Sequence, residues 1–157
     1  MDWLTPKGFA ALTGALVVMR GVAEWCLDQL NLKYVLAHRG KLPPSWKAVM
    51  DEPTFSRSLN YTAAKGKFSQ WSGLYGTLIL LAALFSGLLP AMEQTWTGHL
   101  GASIWIQSGF LCAVATLLAL FDLPWNFWSQ FYLEERFGFN KSNRKLWAVD
   151  QLKMFIL

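Results

Sequence analysis

Two long stretches without a single charge limit what this chain can fold into. Phe68–Met92 and Leu100–Phe121 contain no Asp, Glu, Lys or Arg. A helix needs about 20 mostly apolar residues to cross the hydrocarbon core of a bilayer, so each is long enough to span it with some tilt. The second stretch stops at Asp122 and Pro124. Proline lacks a backbone donor and its ring crowds the preceding turn, which predicts a kink or a helix end there.

An earlier apolar stretch, Gly8–Met19, runs into Arg20, Glu24 and Asp28. Steps of four residues place these three on one helical face, where Arg20 and Glu24 can pair across a turn. A charge at membrane depth is costly unless it is paired or faces a wet cavity, so the expectation is a first span whose polar stripe faces the protein interior. An interfacial helix and a signal peptide are the alternatives. The start Met1-Asp2 is not basic, and Arg20 falls where a signal peptide would need small residues for cleavage.

The fold class expected is therefore all-α, a multi-pass transmembrane helical bundle with about three spans. A further helix should follow, with an apolar run starting at Met154. Loop charge orients the spans. Lys33, Arg39, Lys41, Lys47, Arg57, Lys65 and Lys67 lie between the first and second, against Asp51 and Glu52. No Lys or Arg lies between the second and third; Arg136, Lys141, Arg144, Lys145 and Lys153 follow the third. Lys/Arg-rich loops stay in the cytosol, so the N-terminus is expected outside and both basic stretches inside. Trp96, Trp105, Trp125 and Trp128 suit interfacial anchors, although packed aromatics would look the same. Arg39–Ser56, with Pro43, Pro44 and Pro53, reads as an extended connection leading to a short helix. No repeat, low-complexity stretch or linker divides the chain, so residues 1–157 are read as one region.

With 54% hydrophobic residues gathered into blocks, and no basic stripe carrying exposed aromatics, nucleic acid is not the expected partner. The lipid bilayer is. The two cysteines, Cys26 and Cys112, sit in apolar segments and form no CxxC pair. A zinc-protease helix needs His-Glu-x-x-His, two imidazoles reaching one metal while the Glu activates its water. The two histidines, His38 and His99, fall in separate loops, and neither is followed by Glu. There is no G-x-S-x-G elbow, and Ser103, Ser108 and Ser129 read as ordinary membrane-helix serines. No catalytic residue, metal ligand or cofactor site is expected within the chain.

The one dense polar cluster is Glu134-Glu135-Arg136 followed by Gly138-Phe139-Asn140-Lys141. Gly138 and Asn140 tolerate unusual backbone angles, which suits a helix stop and a turn. A new helix should follow, with Asp150 and Lys153 paired at i,i+3. A helix–turn–helix corner at the membrane surface accounts for this much.

The run Leu123 to Lys141, with Leu123-Pro124 and Glu134-Glu135-Arg136-Phe137-Gly138-Phe139-Asn140, resembles a segment of the CAAX prenyl protease 1 family. Leu146-Trp147, Asp150 and Lys153 are similar to its continuation. Upstream, Leu42-Pro43-Pro44, Met50-Asp51, Thr54-Phe55, Tyr61, Lys65 and Phe68 to Tyr75 resemble the family's first loop and second span. Asn31 and His38-Arg39 look like its bacterial branch, which implies a bacterial inner membrane rather than the endoplasmic reticulum.

The resemblance covers residues 20 to 157. It implies a multi-pass zinc metalloendopeptidase whose helices enclose a water-filled chamber. Catalysis on the cytosolic side uses His-Glu-x-x-His and a later Glu, with prenylated CAAX proteins or membrane peptides as substrates. Tyr61, Lys65, Glu134, Glu135, Gly138, Phe139, Asn140, Lys141, Asp150 and Lys153 become structural residues bracing the chamber's cytosolic mouth. Arg20 and Glu24 become a polar pair facing it. The zinc-binding region would then be a partner supplied by a longer parent, with this chain a fragment, a truncated frame or one half of a split enzyme, inert alone. Two other classes stay open: a non-catalytic membrane scaffold that binds a lipidated peptide or partner helix, and a small transporter subunit.

Overall fold

The computed structural model describes residues 5–38 and 50–156, and all regular structure among them is helical. Helix α1 is Pro6–Ala37, α2 Glu52–Phe85, α3 Leu88–Leu100 and α4 Ile104–Trp128. The chain continues through a π-helical stretch, Ser129–Glu134, into the single turn α5, Glu135–Phe137, and ends in α6, Arg144–Ile156. Three helices are long and apolar enough to cross a membrane: Pro6–Ala37, Glu52–Phe85 and the composite Ile104–Phe137. The protein is an integral, multi-pass, all-helical membrane protein. Its chain divides into two compact units, residues 1–81 and 82–157.

Local chemistry sets the helix ends. Thr5 caps α1 by accepting from the Gly8 N–H at 3.1 Å, and Pro6 follows where a missing donor costs nothing. Asn143 starts α6 by accepting from the Leu146 N–H at 2.7 Å. Inside the apolar helices, hydroxyls turn back onto their own backbone. Thr13 donates to the Phe9 carbonyl at 2.9 Å, Ser108 to Ile104 at 2.9 Å and Thr116 to Cys112 at 2.8 Å. Lipid offers no partner, so each hydroxyl is satisfied within one turn.

Three boundaries differ from the sequence expectation. The stretch Phe68–Met92 is not one helix. It breaks at Ser86–Gly87, where Gly87 has φ 79° and the Ser86 hydroxyl accepts from the Leu88 N–H at 3.2 Å. At 13 residues α3 spans only about 20 Å, too short to cross. Pro124 does not end α4. The helix runs through it to Trp128, and the irregularity follows as the π stretch, whose N–H groups reach five residues back. The connection expected to stay extended to Ser56 and lead into a short helix is helical from Glu52, where the 34-residue α2 begins. The rest of the expected connection, residues 39–49, and the Pro43-Pro44 pair within it lie outside the described residues.

In the first unit α1 and α2 run antiparallel, as two contacts show. A Cβ built on Gly21 would lie 3.0 Å from Thr77 Oγ1, and the Gln29 amide donates to Gln70 Oε1 at 3.2 Å. Trp25 and Trp71 meet edge to face between these points, ring centroids 6.2 Å apart. Gly21 is the close approach. Without a side chain there, the backbones come near enough for van der Waals contact to hold the pair in lipid. Among the described residues, Leu32, Ala63 and Gln70 are the buried ones of this unit.

In the second unit the Trp96 indole donates to the Ile106 carbonyl at 3.0 Å and its ring lies 6.2 Å from Phe110. Trp96 therefore staples α3 to α4. Of the two readings open for it, packing is the one observed. Trp105, 83% exposed, keeps the character of an anchor.

Candidate functional site

The polar corner expected at Glu134–Lys141 is built around one glycine. Gly138 ends α5 at φ 72° and ψ 25°. Its N–H donates to the Glu135 carbonyl at 3.0 Å, and the Phe139 N–H reaches the Glu134 carbonyl at 2.9 Å. This pair of bonds is a Schellman stop, which uses up carbonyls the helix end would otherwise leave bare. Asn140 completes the turn from both ends of its amide. Nδ2 donates to Glu135 Oε2 at 2.9 Å, while Oδ1 accepts from the Ser142 N–H at 2.8 Å. The run Gly138-Phe139-Asn140 thus has a direct mechanical reading: the glycine reverses the chain and the asparagine ties the reversal to Glu135. Lys141 is exposed beside it.

Beyond the turn, α6 returns against the end of α4. Trp147 stands edge to face on Phe127 at 5.3 Å and on Phe131 at 6.3 Å, and these two lie 4.7 Å from each other. The Arg144 guanidinium lies 6.0 Å from the centre of the Phe127 ring. Asp150 and Lys153 form the expected i,i+3 pair at 3.9 Å, with both side chains more than half exposed. Such a pair contributes little to stability.

In the first unit, Lys65 Nζ donates to the Tyr61 hydroxyl at 3.3 Å and lies 5.5 Å from the centre of that ring. Arg20 Nε and Glu24 Oε1 pair at 2.8 Å, one turn apart as the spacing demands. Within the chain this pair is not enclosed, for the Arg20 side chain is 72% exposed and that of Glu24 50%. The interior of the α1–α2 pair is instead Gly21, Trp25 and Leu32, a face displaced from Arg20.

Sequence reasoning missed the Gln29–Gln70 bridge, the Gly21–Thr77 approach and the role of Trp147. A lone glutamine in an uncharged span and glycines one helical face apart were available signals.

Among the described residues no three His, Cys, Asp or Glu side chains gather where they could hold a metal ion. His38 Nδ1 lies 2.8 Å from the Tyr34 carbonyl and stacks on the Tyr34 ring at 4.2 Å, and His99 sits in the last turn of α3. These residues do not fit a zinc centre. The described polar residues instead build the hydrogen-bonded corner at Gly138–Asn140.

Comparison with known proteins decides the family. Residues 31–157 match the family model described as the CAAX prenyl protease N-terminal region, five membrane helices. The chain belongs to the CAAX prenyl protease family. It is 34% identical over 127 residues to CAAX prenyl protease 1 of Saccharomyces cerevisiae, covering 74% of this chain and 28% of that protein. The human CAAX prenyl protease 1 homolog is 35% identical over 126 residues, covering 74% of this chain and 26% of its own length. The crystal structure of S. mikatae Ste24p superimposes with a TM-score of 0.81 at 28% identity, over 99% of this chain and 36% of that one. The chain thus spans little more than a quarter of the curated relatives it matches and about a third of the solved structure.

Gly138 gives the corner a direct test. Gly138→Ala forces a Cβ into the left-handed region, a cost of about 1–2 kcal/mol. Thermal unfolding in detergent should show that loss, and Gly138→Asn should recover part of it because asparagine tolerates these angles.

Proposed function

We propose that residues 1–157 are the N-terminal membrane region of a zinc metalloendopeptidase acting on prenylated CAAX-type or membrane-associated peptides. In this reading the region builds part of the membrane enclosure, while zinc, its ligands and the catalytic acid come from residues outside 1–157. The chain alone is then inert. The observation that carries the reading is the family match over residues 31–157, which includes the Gly138–Asn140 corner with its glycine stop and asparagine brace. Tyr61, Lys65, Glu134, Glu135 and Lys141 frame the cytosolic mouth, and Arg20–Glu24 faces water or protein rather than lipid, as a charge pair at that depth requires.

The charge distribution supports an outer N-terminus, with the basic stretch Lys33–Lys67 and the C-terminal segment in the cytosol. Asn31 and His38-Arg39 favour a bacterial inner membrane, whereas the yeast and human relatives favour the endoplasmic reticulum. The cytosolic side is the same in either.

A chimera tests the reading. Residues 31–157 replace the matching segment of the yeast CAAX prenyl protease 1, and cleavage of a prenylated CAAX peptide is assayed beside zinc content. The expected chimera cleaves the peptide and holds one zinc, while the isolated chain does neither. A chimera that folds and binds zinc but leaves the peptide intact would sink the assignment. So would tightly held zinc in the chain alone.

A further inference from the structure

Between α1 and α2, wholly within the first unit, lies a cavity of about 620 Å³. Its lining changes character along its length. The antiparallel register fixed by Gly21–Thr77 and Gln29–Gln70 puts Val18 beside Leu81 at one end. At the other it puts Asp28 beside Ser69 and Gln70. From Val18 to Asp28 the helix rises about 15 Å, which is half the roughly 30 Å hydrocarbon core, or one leaflet. The apolar end therefore lies at mid-bilayer depth. The polar end lies toward the surface, next to Lys33 on α1 and Lys67 on α2.

Two groups at the polar end lack partners. Gln70 is 6% exposed and Gln29 occupies its Oε1, yet its Nε2 has no acceptor. A buried donor left without an acceptor is destabilising, and in lipid no water relieves it. Asp28, half-buried, makes no hydrogen bond or ion pair among the described residues, whereas the neighbouring Glu24 is held by Arg20. A donor and a carboxylate at one end of a mostly apolar slot, which Thr77 and the Arg20-paired Glu24 also line, match an amphiphile in sign. The slot takes an acyl chain, the amide an ester carbonyl and the carboxylate an ammonium on a headgroup folded back along the surface, with Lys33 and Lys67 close by in the sequence for the phosphate.

We propose that the α1–α2 cavity holds one acyl chain of a zwitterionic aminophospholipid, its ester carbonyl on Gln70 Nε2 and its ammonium on Asp28. An anionic phospholipid lacks the ammonium and meets Asp28 as a like charge, so the site discriminates between them. This inference does not depend on the peptidase assignment.

Gly73 offers the control. It lines the cavity, and a Cβ built there meets no atom within 4 Å, so Gly73→Leu starts a side chain into the slot from an open position. The full chain is reconstituted in nanodiscs of mixed phosphatidylethanolamine and phosphatidylglycerol, released into mild detergent and weighed by native mass spectrometry. The wild type should retain one phosphatidylethanolamine. Asp28→Asn should lower its preference over phosphatidylglycerol by about tenfold, as loss of one charge-assisted contact implies. Gly73→Leu should lose retained lipid while keeping its helical circular dichroism. No retained lipid in the wild type, equal retention of both lipids, a dimer in place of bound lipid, or undiminished binding in Gly73→Leu would each overturn the proposal.

Discussion

Gly21→Leu is expected to separate α1 from α2 and lower stability by about 1–3 kcal/mol, the usual cost of forcing extra carbon into a closed contact. A Cβ alone at this position would already stand 3.0 Å from Thr77 Oγ1 and 3.1 Å from its Cγ2. Thr77 cannot turn aside freely, because its hydroxyl donates to the Gly73 carbonyl at 2.9 Å. A leucine therefore moves the helix rather than the threonine. The Trp25–Trp71 contact and the Gln29–Gln70 bridge should go with it. Unfolding titrations in mixed micelles read the loss, and tryptophan emission reports the Trp25–Trp71 pair. Shrinking the partner should restore much of it, so the double variant Gly21→Leu/Thr77→Gly should be more stable than Gly21→Leu alone. If Gly21→Leu unfolds like the wild type, the close approach does not hold these helices together.

The second large effect is sidedness. With Cys26 and Cys112 replaced by alanine, a single cysteine at Ser58 or Ser142 is expected to be reached only from the cytosol. One at Gly98, near the end of α3 in the segment without Lys or Arg between the second and third spans, should be reached only from the opposite face. A membrane-impermeant maleimide applied to intact and to inverted vesicles separates the cases as near all-or-none labelling. The argument is the cost of moving the basic residues between Lys33 and Lys67 across the bilayer, against a segment between the second and third spans that carries none. Labelling of Ser58→Cys from the outer face would reverse the orientation and remove the independent physical support for a cytosolic active site.

Arg20 shows how far spacing alone reaches. Four residues separate it from Glu24, and the ion pair is present at 2.8 Å. Which way the pair faces was not legible, because that depends on what packs against α1. In the structure, Gly21 and Trp25 face α2 while Arg20 stays largely exposed within the chain. The polar corner followed the same division. A stop at Gly138 and a turn at Asn140 were readable, since both are local preferences of single residues. The bond from Asn140 to Glu135, and the Trp147 ring on Phe127 and Phe131, were not.

The amino-acid sequence by itself determined the all-helical membrane class, the three stretches apolar enough to cross, the i,i+4 and i,i+3 ion pairs and the glycine-and-asparagine corner. Each of these depends on groups within a few turns of one another, or on whether a stretch is apolar enough to leave water. Only the tertiary structure decided the break at Ser86–Gly87, the passage of α4 through Pro124 into a π stretch, and the register of α1 on α2. The physical reason is that a span apolar on all sides dissolves in lipid equally well in any rotation. Its facing is chosen by a few small or polar side chains that find partners tens of residues away, as Gln29 finds Gln70.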